Sequence, residues 1–176
     1  MGSEFRVLSL FSGAGGLDLG LEATGRFSSA ACVDRFDDAL ATLRKNAGRP
    51  LPSGRRALER AIICDVDLSE EPLERIRACG VPIAEVDFVA GGPPCQSFSV
   101  MGKRGGLMDP RGNLVLSYLS VIESVQPRGF IFENVPGFAS IDGGDTYRQL
   151  LSKFRGLGYG SWSGVVRAAD FGAATL

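Results

Sequence analysis

Alternation constrains this chain more than any other feature. Short apolar runs and amphipathic stretches take turns from Arg6 onward, and the joins between successive apolar runs are too long for hairpins. The apolar runs predict strands over residues 6–11, 29–34, 61–65, 86–92, 129–135 and 159–172. Between them, helical spacing and end signals predict helices over 17–25, 37–46, 69–80, 113–125 and 146–158. In the third helix, Ser69 is the candidate N-cap and Pro72 falls in the first turn. Residues 50–56 read as a polar loop. Strands joined by helical crossovers form parallel sheets with right-handed connections, so the expected fold class is α/β with a mostly parallel sheet.

The chain has 176 residues, enough for one domain with a substantial core. Residues 1–5, MGSEF, look like a vector-derived tail and stand outside the fold argument, which leaves 6–176 as a single domain. No apolar run reaches the roughly 18 residues of a membrane span, and no secretory signal opens the chain. The net charge of −1 gives no global basic field for nucleic acid. Four cysteines, Cys32, Cys64, Cys79 and Cys95, form no C-x-x-C pair, so neither a metal site nor a redox motif is indicated, and reduced intracellular thiols are expected.

The chemistry-bearing residues follow strand ends, where ligands bind in open α/β sheets. FSGAGG, 11–16, joins the first strand to the first helix. Such a turn admits close approach of a ligand, although it lacks the full dinucleotide pattern and also fits a plain turn. Asp34 ends the second strand 21 positions after Gly13. An acid at that spacing can accept from both ribose hydroxyls; the plainer alternative is an acid preceding a helix. Asp65 ends the third strand and can accept from an adenine amine, or is simply a loop carboxylate. No lysine follows the glycines as in a P-loop, so the three together describe an adenosine pocket without phosphates and point to S-adenosylmethionine.

The fourth strand runs into GGPPCQSFS, 91–99. Most cysteines are inert core residues. Cys95 instead follows Pro93 and Pro94 and precedes polar Gln96, Ser97 and Ser99, which marks a loop. Lys103 and Arg104 lie downstream and favour the thiolate, and the glycine-rich segment as far as Gly112 reads as a lid. The fifth strand ends in Glu133-Asn134-Val135 and Pro136. The alternatives for Glu133 are a solvated carboxylate and an acid partner. A thiol and a protonatable carboxyl at adjacent strand ends form a nucleophile–acid pair in a chain that has no histidine.

Taken together, LFSGAGGL, GGPPCQSFS, DPRGNL (109–114) and ENV resemble the DNA cytosine-5 methyltransferase family, over essentially the whole chain from Arg6. The resemblance implies a Rossmann-like S-adenosylmethionine-dependent methyltransferase core. Catalysis falls to Cys95, Glu133, Pro94 and Asn134. The cofactor falls to Phe11, Ser12, Gly13, Gly15, Gly16, Leu17, Asp34, Arg35, Asp65, Val66, Gly92 and Pro93, with Phe11 against the adenine. A lid of Gln96, Ser97, Lys103, Arg104 and Arg111 contacts DNA. At Asp34 the family more often has Glu followed by a large hydrophobic residue; here Arg35 follows.

The resemblance further implies double-stranded DNA as substrate, S-adenosylhomocysteine as product, a restriction–modification setting, and no metal or membrane. It implies a cytoplasmic, nucleoid-associated location in a bacterium, or a nuclear one otherwise. RAADFGA, 167–173, resembles the entry to a family motif that continues with an arginine-x-arginine segment, which this sequence does not contain. The expectation is therefore a core incomplete at its C-terminus and lacking the target recognition domain. A second polypeptide would complete it. Alternatives are a non-catalytic module that binds a partner or cofactor, and a tRNA-methylating member of the same fold.

Overall fold

A computed structural model describes residues 4–94 and 114–173. They fall into two compact units that divide between Asn134 and Val135. The first holds a five-stranded, all-parallel sheet in the order β3-β2-β1-β4-β5. Its strands are β1 (Phe5–Leu10), β2 (Phe27–Asp34), β3 (Ile62–Asp65), β4 (Phe88–Gly91) and β5 (Gly129–Phe132). Helices α1 (Gly16–Ala23), α2 (Asp37–Asn46), α3 (Pro72–Ala78) and α4 (Leu114–Val125) connect them. The strand order reverses direction at β1 and β4, the place where α/β sheets open a crevice.

The core follows from the near-continuous apolar runs that a doubly covered parallel sheet requires. Leu8, Leu10, Ala31, Val33 and Val89 are buried in the strands, and Leu43, Ile76, Val115 and Ile122 cover them from the helices. Each fully buried Leu or Ile contributes about 1.5–3 kcal/mol. At the strands' amino ends, Phe5, Phe27 and Phe88 form a three-ring cluster with centroids 5.2–5.7 Å apart. Phe5, set aside with the tail, is thus the first residue of β1.

Two expectations are corrected. Helix α3 starts at Pro72, not Ser69, because the residue before a proline is driven out of the helical region. Glu71 stands at φ +44°, and the Ser69 N–H donates to Asp67 Oδ1 at 2.9 Å instead of capping the helix. Helix α1 overlaps the expected 17–25 stretch, and its buried residues are Asp18 and Glu22. The sixth strand is not formed: 159–167 is irregular and Ala168–Phe171 is a 3-10 turn. No described segment pairs with 159–167, and Gly160, Ser161, Ser163 and Gly164 give it little strand preference of its own.

The second unit is built on α5 (Asp145–Gly156), preceded by the 3-10 segment Pro136–Gly144. Phe138, Leu150 and Phe154 are buried within it. No helix among the described residues is long and apolar enough to cross a membrane.

Candidate active site

The glycine turn after β1 is held by its neighbours in β2. The Ser12 N–H donates to the Val33 carbonyl at 3.1 Å. The Ser12 hydroxyl accepts from the Val33 N–H at 3.0 Å and lies 3.0 Å from the Ser9 hydroxyl. Asp34 closes the turn: Oδ2 accepts the Gly13 N–H at 2.8 Å, while Oδ1 accepts the Arg35 and Phe36 N–H groups at 2.8 and 3.0 Å. A carboxylate has about four acceptor sites, so three are taken and one is left. Asp34 therefore keeps one acceptor site open, and its larger task is to hold the turn. Phe11, at φ +54°, stores backbone strain at the start of that turn. Gly15, at φ +83°, caps α1 where any Cβ would lie 2.7 Å from Leu43 Cδ2. At Gly13 and Gly16 a Cβ would meet nothing, so the turn opens onto free space of the kind a ligand's backbone contacts need.

Beside the turn lies a cleft of about 300 Å³, lined by Ser9, Leu10, Phe11, Ser12, Leu17, Asp18, Gly91, Gly92 and Glu133. It gathers the expected Phe11, Ser12, Leu17, Gly92 and Glu133 into one place. Glu133 is solvent-exposed, and its N–H donates to the Gly91 carbonyl at 3.0 Å. Its carboxylate comes so close to the chain that a Cβ on Gly92 would stand 2.5 Å from Oε2. The Asn134 amide donates to the Pro93 carbonyl at 2.9 Å and ties the end of β5 to the residues that lead into the Cys95 segment. Cys95 itself and Gln96, Ser97, Lys103, Arg104 and Arg111 lie outside the described residues.

Asp65 and Val66 do not line this cleft. They line a more open depression of about 400 Å³ with Asp67, Arg75, Ala78 and Cys79. Strand register sets Asp65 beside Asp34, and the Val66 N–H donates to the Asp34 carbonyl at 2.9 Å. Arg35 forms a 2.8 Å ion pair with Asp67, and its guanidinium lies 5.2 Å from the centroid of the Phe36 ring. Hydrogen bonds from Ser69, with the Arg35 charge adding to them, hold the Asp67 carboxyl below its usual range.

Sequence reasoning missed Ser9, Asp18, Asp67 and Tyr118. Tyr118, buried in α4, has its hydroxyl 2.9 Å from the Ile131 carbonyl and 3.2 Å from the Val89 carbonyl. It thereby braces β4 against β5, and burial pushes its phenol well above the ordinary range. A tyrosine set among the apolar positions Val115, Leu119 and Ile122 was the available signal. For Asp18 the signal was its four-residue spacing from Glu22.

Comparison with known proteins agrees with this geometry. The model of the C-5 cytosine-specific DNA methylases matches residues 5–175. The chain is 38% identical over 178 residues to the type II methyltransferase M.AquIA of Picosynechococcus, covering 96% of this chain and 67% of that protein. It is 34% identical over 165 residues to the DNA (cytosine-5-)-methyltransferase M.ApeKI of Aeropyrum pernix, covering 88% of this chain and 34% of that one. With the type II methyltransferase M.NgoPII of Neisseria gonorrhoeae it shares 34% identity over 173 residues, 98% of this chain and 45% of the relative. The chain thus spans less than half the length of the last two.

Among solved structures, an E. coli prophage-encoded protein described as a DNA modification methyltransferase superposes with TM-score 0.61 at 26% identity, over 87% of this chain and 38% of that one. Schizosaccharomyces pombe Dnmt2 methyltransferase shares the fold at TM-score 0.57 and 22% identity, over 85% of this chain and 40% of its own. With a parallel sheet, a glycine turn and an acid against Gly92, and a family match across nearly its whole length, the chain belongs to the C-5 cytosine-specific DNA methylases.

Proposed function

We propose that this chain carries the cofactor-binding and nucleophile half of a DNA cytosine-5 methyltransferase, and that a second polypeptide supplies the part that presents the target base. The observation that carries the reading is the pairing of β4 with β5. It brings Glu133 against Gly92 and lets Asn134 hold Pro93, two residues before Cys95. S-adenosylmethionine, when bound, supplies the methyl group. Phe11 would lie against its adenine, Asp34 would accept a ribose hydroxyl, and Asp65 would accept the adenine amine.

Cytosine C5 is too weakly nucleophilic to be methylated directly. The Cys95 thiolate adds to C6 and gives C5 enamine character. Glu133 donates a hydrogen bond or proton to N3, where charge develops. Pro94 shapes the pocket wall, and Asn134 positions the loop. After methylation, loss of the C5 proton to solvent water and expulsion of the Cys95 thiolate restore the aromatic ring. The base must leave the duplex to reach Cys95. The lid cations Lys103, Arg104 and Arg111 contact the phosphates; with a net charge of −1, the rest of the chain adds no general attraction to DNA.

The exposed apolar residues of the second unit support a partner polypeptide. Trp162 is 85% exposed and Phe171 80%, with Val165 and Val166 also exposed. Duplex DNA carrying 5-fluorocytosine tests the mechanism, because fluorine at C5 blocks the final elimination and traps the adduct. With S-adenosylmethionine and the complementing polypeptide, a denaturation-resistant protein–DNA band is expected, and Cys95→Ser abolishes it. A band that survives Cys95→Ser, or no band from the complemented wild type, overturns the reading.

A further inference from the structure

The two acids on the buried face of α1 are treated differently by their surroundings. Glu22 Oε1 accepts the Ser29 N–H at 2.9 Å and Oε2 the Leu58 N–H at 2.8 Å, so both oxygens are used. Asp18, one turn earlier, is only 1% exposed. Its Oδ1 accepts the Cys32 thiol at 3.5 Å, but its Oδ2 has no hydrogen-bond partner among the described residues. A buried carboxyl oxygen left empty is unfavourable, and native structures rarely leave one without a use.

The location of Asp18 indicates what that use is. It lines the cleft beside the glycine turn, where, among the described residues, the other titratable one is Glu133 and none of the lining is basic. The groups around it are Glu22 from α1, the Cys32 thiol from β2, the Ser9 hydroxyl from β1 and, on the same cleft, Glu133. None of these can neutralise a carboxylate. The charge this cleft accepts is positive, and the group it lacks is a hydrogen-bond donor.

We propose that Asp18 is the receptor for a cationic ammonium group at the floor of the cleft, the one at the amino-acid end of an S-adenosylmethionine-type ligand. The proposal rests on the methyltransferase reading and adds to it the residue that recognises the amino-acid end. An ammonium donating to Oδ2 forms a charge-assisted hydrogen bond and completes the carboxylate's shell. Burial raises the Asp18 pKa, against the lowering effect of the neighbouring Ser9 hydroxyl and Cys32 thiol, and the nearby Glu22 raises it further. A cation bound at Oδ2 lowers it again. Binding therefore releases a proton, and affinity weakens as pH falls toward the raised pKa of the free protein.

The test compares S-adenosylhomocysteine, which has the ammonium, with 5′-methylthioadenosine, which lacks it. Calorimetric titration is run on the full chain, alone and with the complementing polypeptide. Asp18→Asn is expected to weaken the homocysteine ligand about 10-fold or more and the methylthio ligand less than about 2-fold, in line with the loss of one charge-assisted bond. In the wild type, only the first ligand should lose affinity as the pH is lowered, a readout that needs no variant. Asparagine mimics the neutral acid, so Asp18→Asn should unfold no earlier than wild type at pH 8, with any advantage shrinking toward pH 5. Equal losses for both ligands, or two flat pH profiles, overturn the inference while leaving the methyltransferase reading intact. A wild-type chain that binds neither ligand overturns that reading and this inference with it.

Discussion

A methyl group at position 92 would collide with the Glu133 carboxylate. Gly92 has no left-handed φ, so alanine is conformationally acceptable there. Its Cβ would stand 2.5 Å from Glu133 Oε2 and 3.2 Å from the Glu133 carbonyl. The carboxylate is the free end of an exposed side chain and can swing away cheaply, but in doing so it leaves its position. Gly92→Ala should therefore keep the fold, with a melting temperature within about 4 °C of wild type, equivalent to roughly 1 kcal/mol for a chain of this size. Adduct formation on 5-fluorocytosine DNA by the complemented enzyme should fall about 100-fold, the lower end of what a positioned acid contributes. Single-turnover kinetics read this directly, and an unchanged rate would remove Glu133 from the reaction. At this scale the sequence was highly legible for residue types and less so for their roles. Spacing identified Asp34, but not that three backbone N–H groups already occupy it.

At the level of elements, the legible parts were those with strong periodicity. Helix α2 runs from Asp37 to Asn46 as expected, with acids in its first turn and bases in its last. Helix α1 was legible as a helix but not in its facing. A hydrophobic-face argument turns Leu17 and Leu21 inward, whereas the structure buries Asp18 and Glu22. The cause is long-range: Ser29 and Leu58 bring backbone N–H groups that only the folded chain collects, and no pattern within 16–23 reveals them. Glu22 thus acts as a buried clamp joining α1, β2 and the turn at Leu58, which itself has φ +52°. Glu22→Gln replaces one accepting oxygen with a donor facing a backbone N–H. It should destabilise the chain by about 2–3 kcal/mol, the cost of a buried unsatisfied pair, measured by urea unfolding. This contrasts with the expected tolerance of Asp18→Asn: one acid of α1 serves the fold, the other the cleft. A neutral outcome for Glu22→Gln would contradict that division.

For the whole molecule, alternation in the sequence was enough to place five parallel strands, and it failed at the sixth because a strand depends on its neighbour. Residues 159–167 have the apolar content of a strand, yet Trp162, Val165 and Val166 face solvent and no described segment offers a ladder. The chain spans 34% of M.ApeKI and 45% of M.NgoPII, so those relatives contain much sequence with no counterpart here. Apolar side chains this exposed favour burial against a partner, at roughly 25 cal/mol per Å² of surface removed from water. Trp162 is the only tryptophan of the chain, which makes it a site-specific reporter. Alone, the protein should emit like a hydrated indole and be quenched freely by iodide. Adding a tryptophan-free polypeptide that carries the family's arginine-x-arginine segment and the residues C-terminal to it should shift the emission to the blue and cut the quenching several-fold. The adduct-forming activity should appear over the same concentration range. If activity appears while the Trp162 signal stays still, the partner docks elsewhere; if neither responds, the two-polypeptide proposal fails. If both move together, the apolar stretch that the sequence presents as a strand is the surface on which the second half of the enzyme assembles.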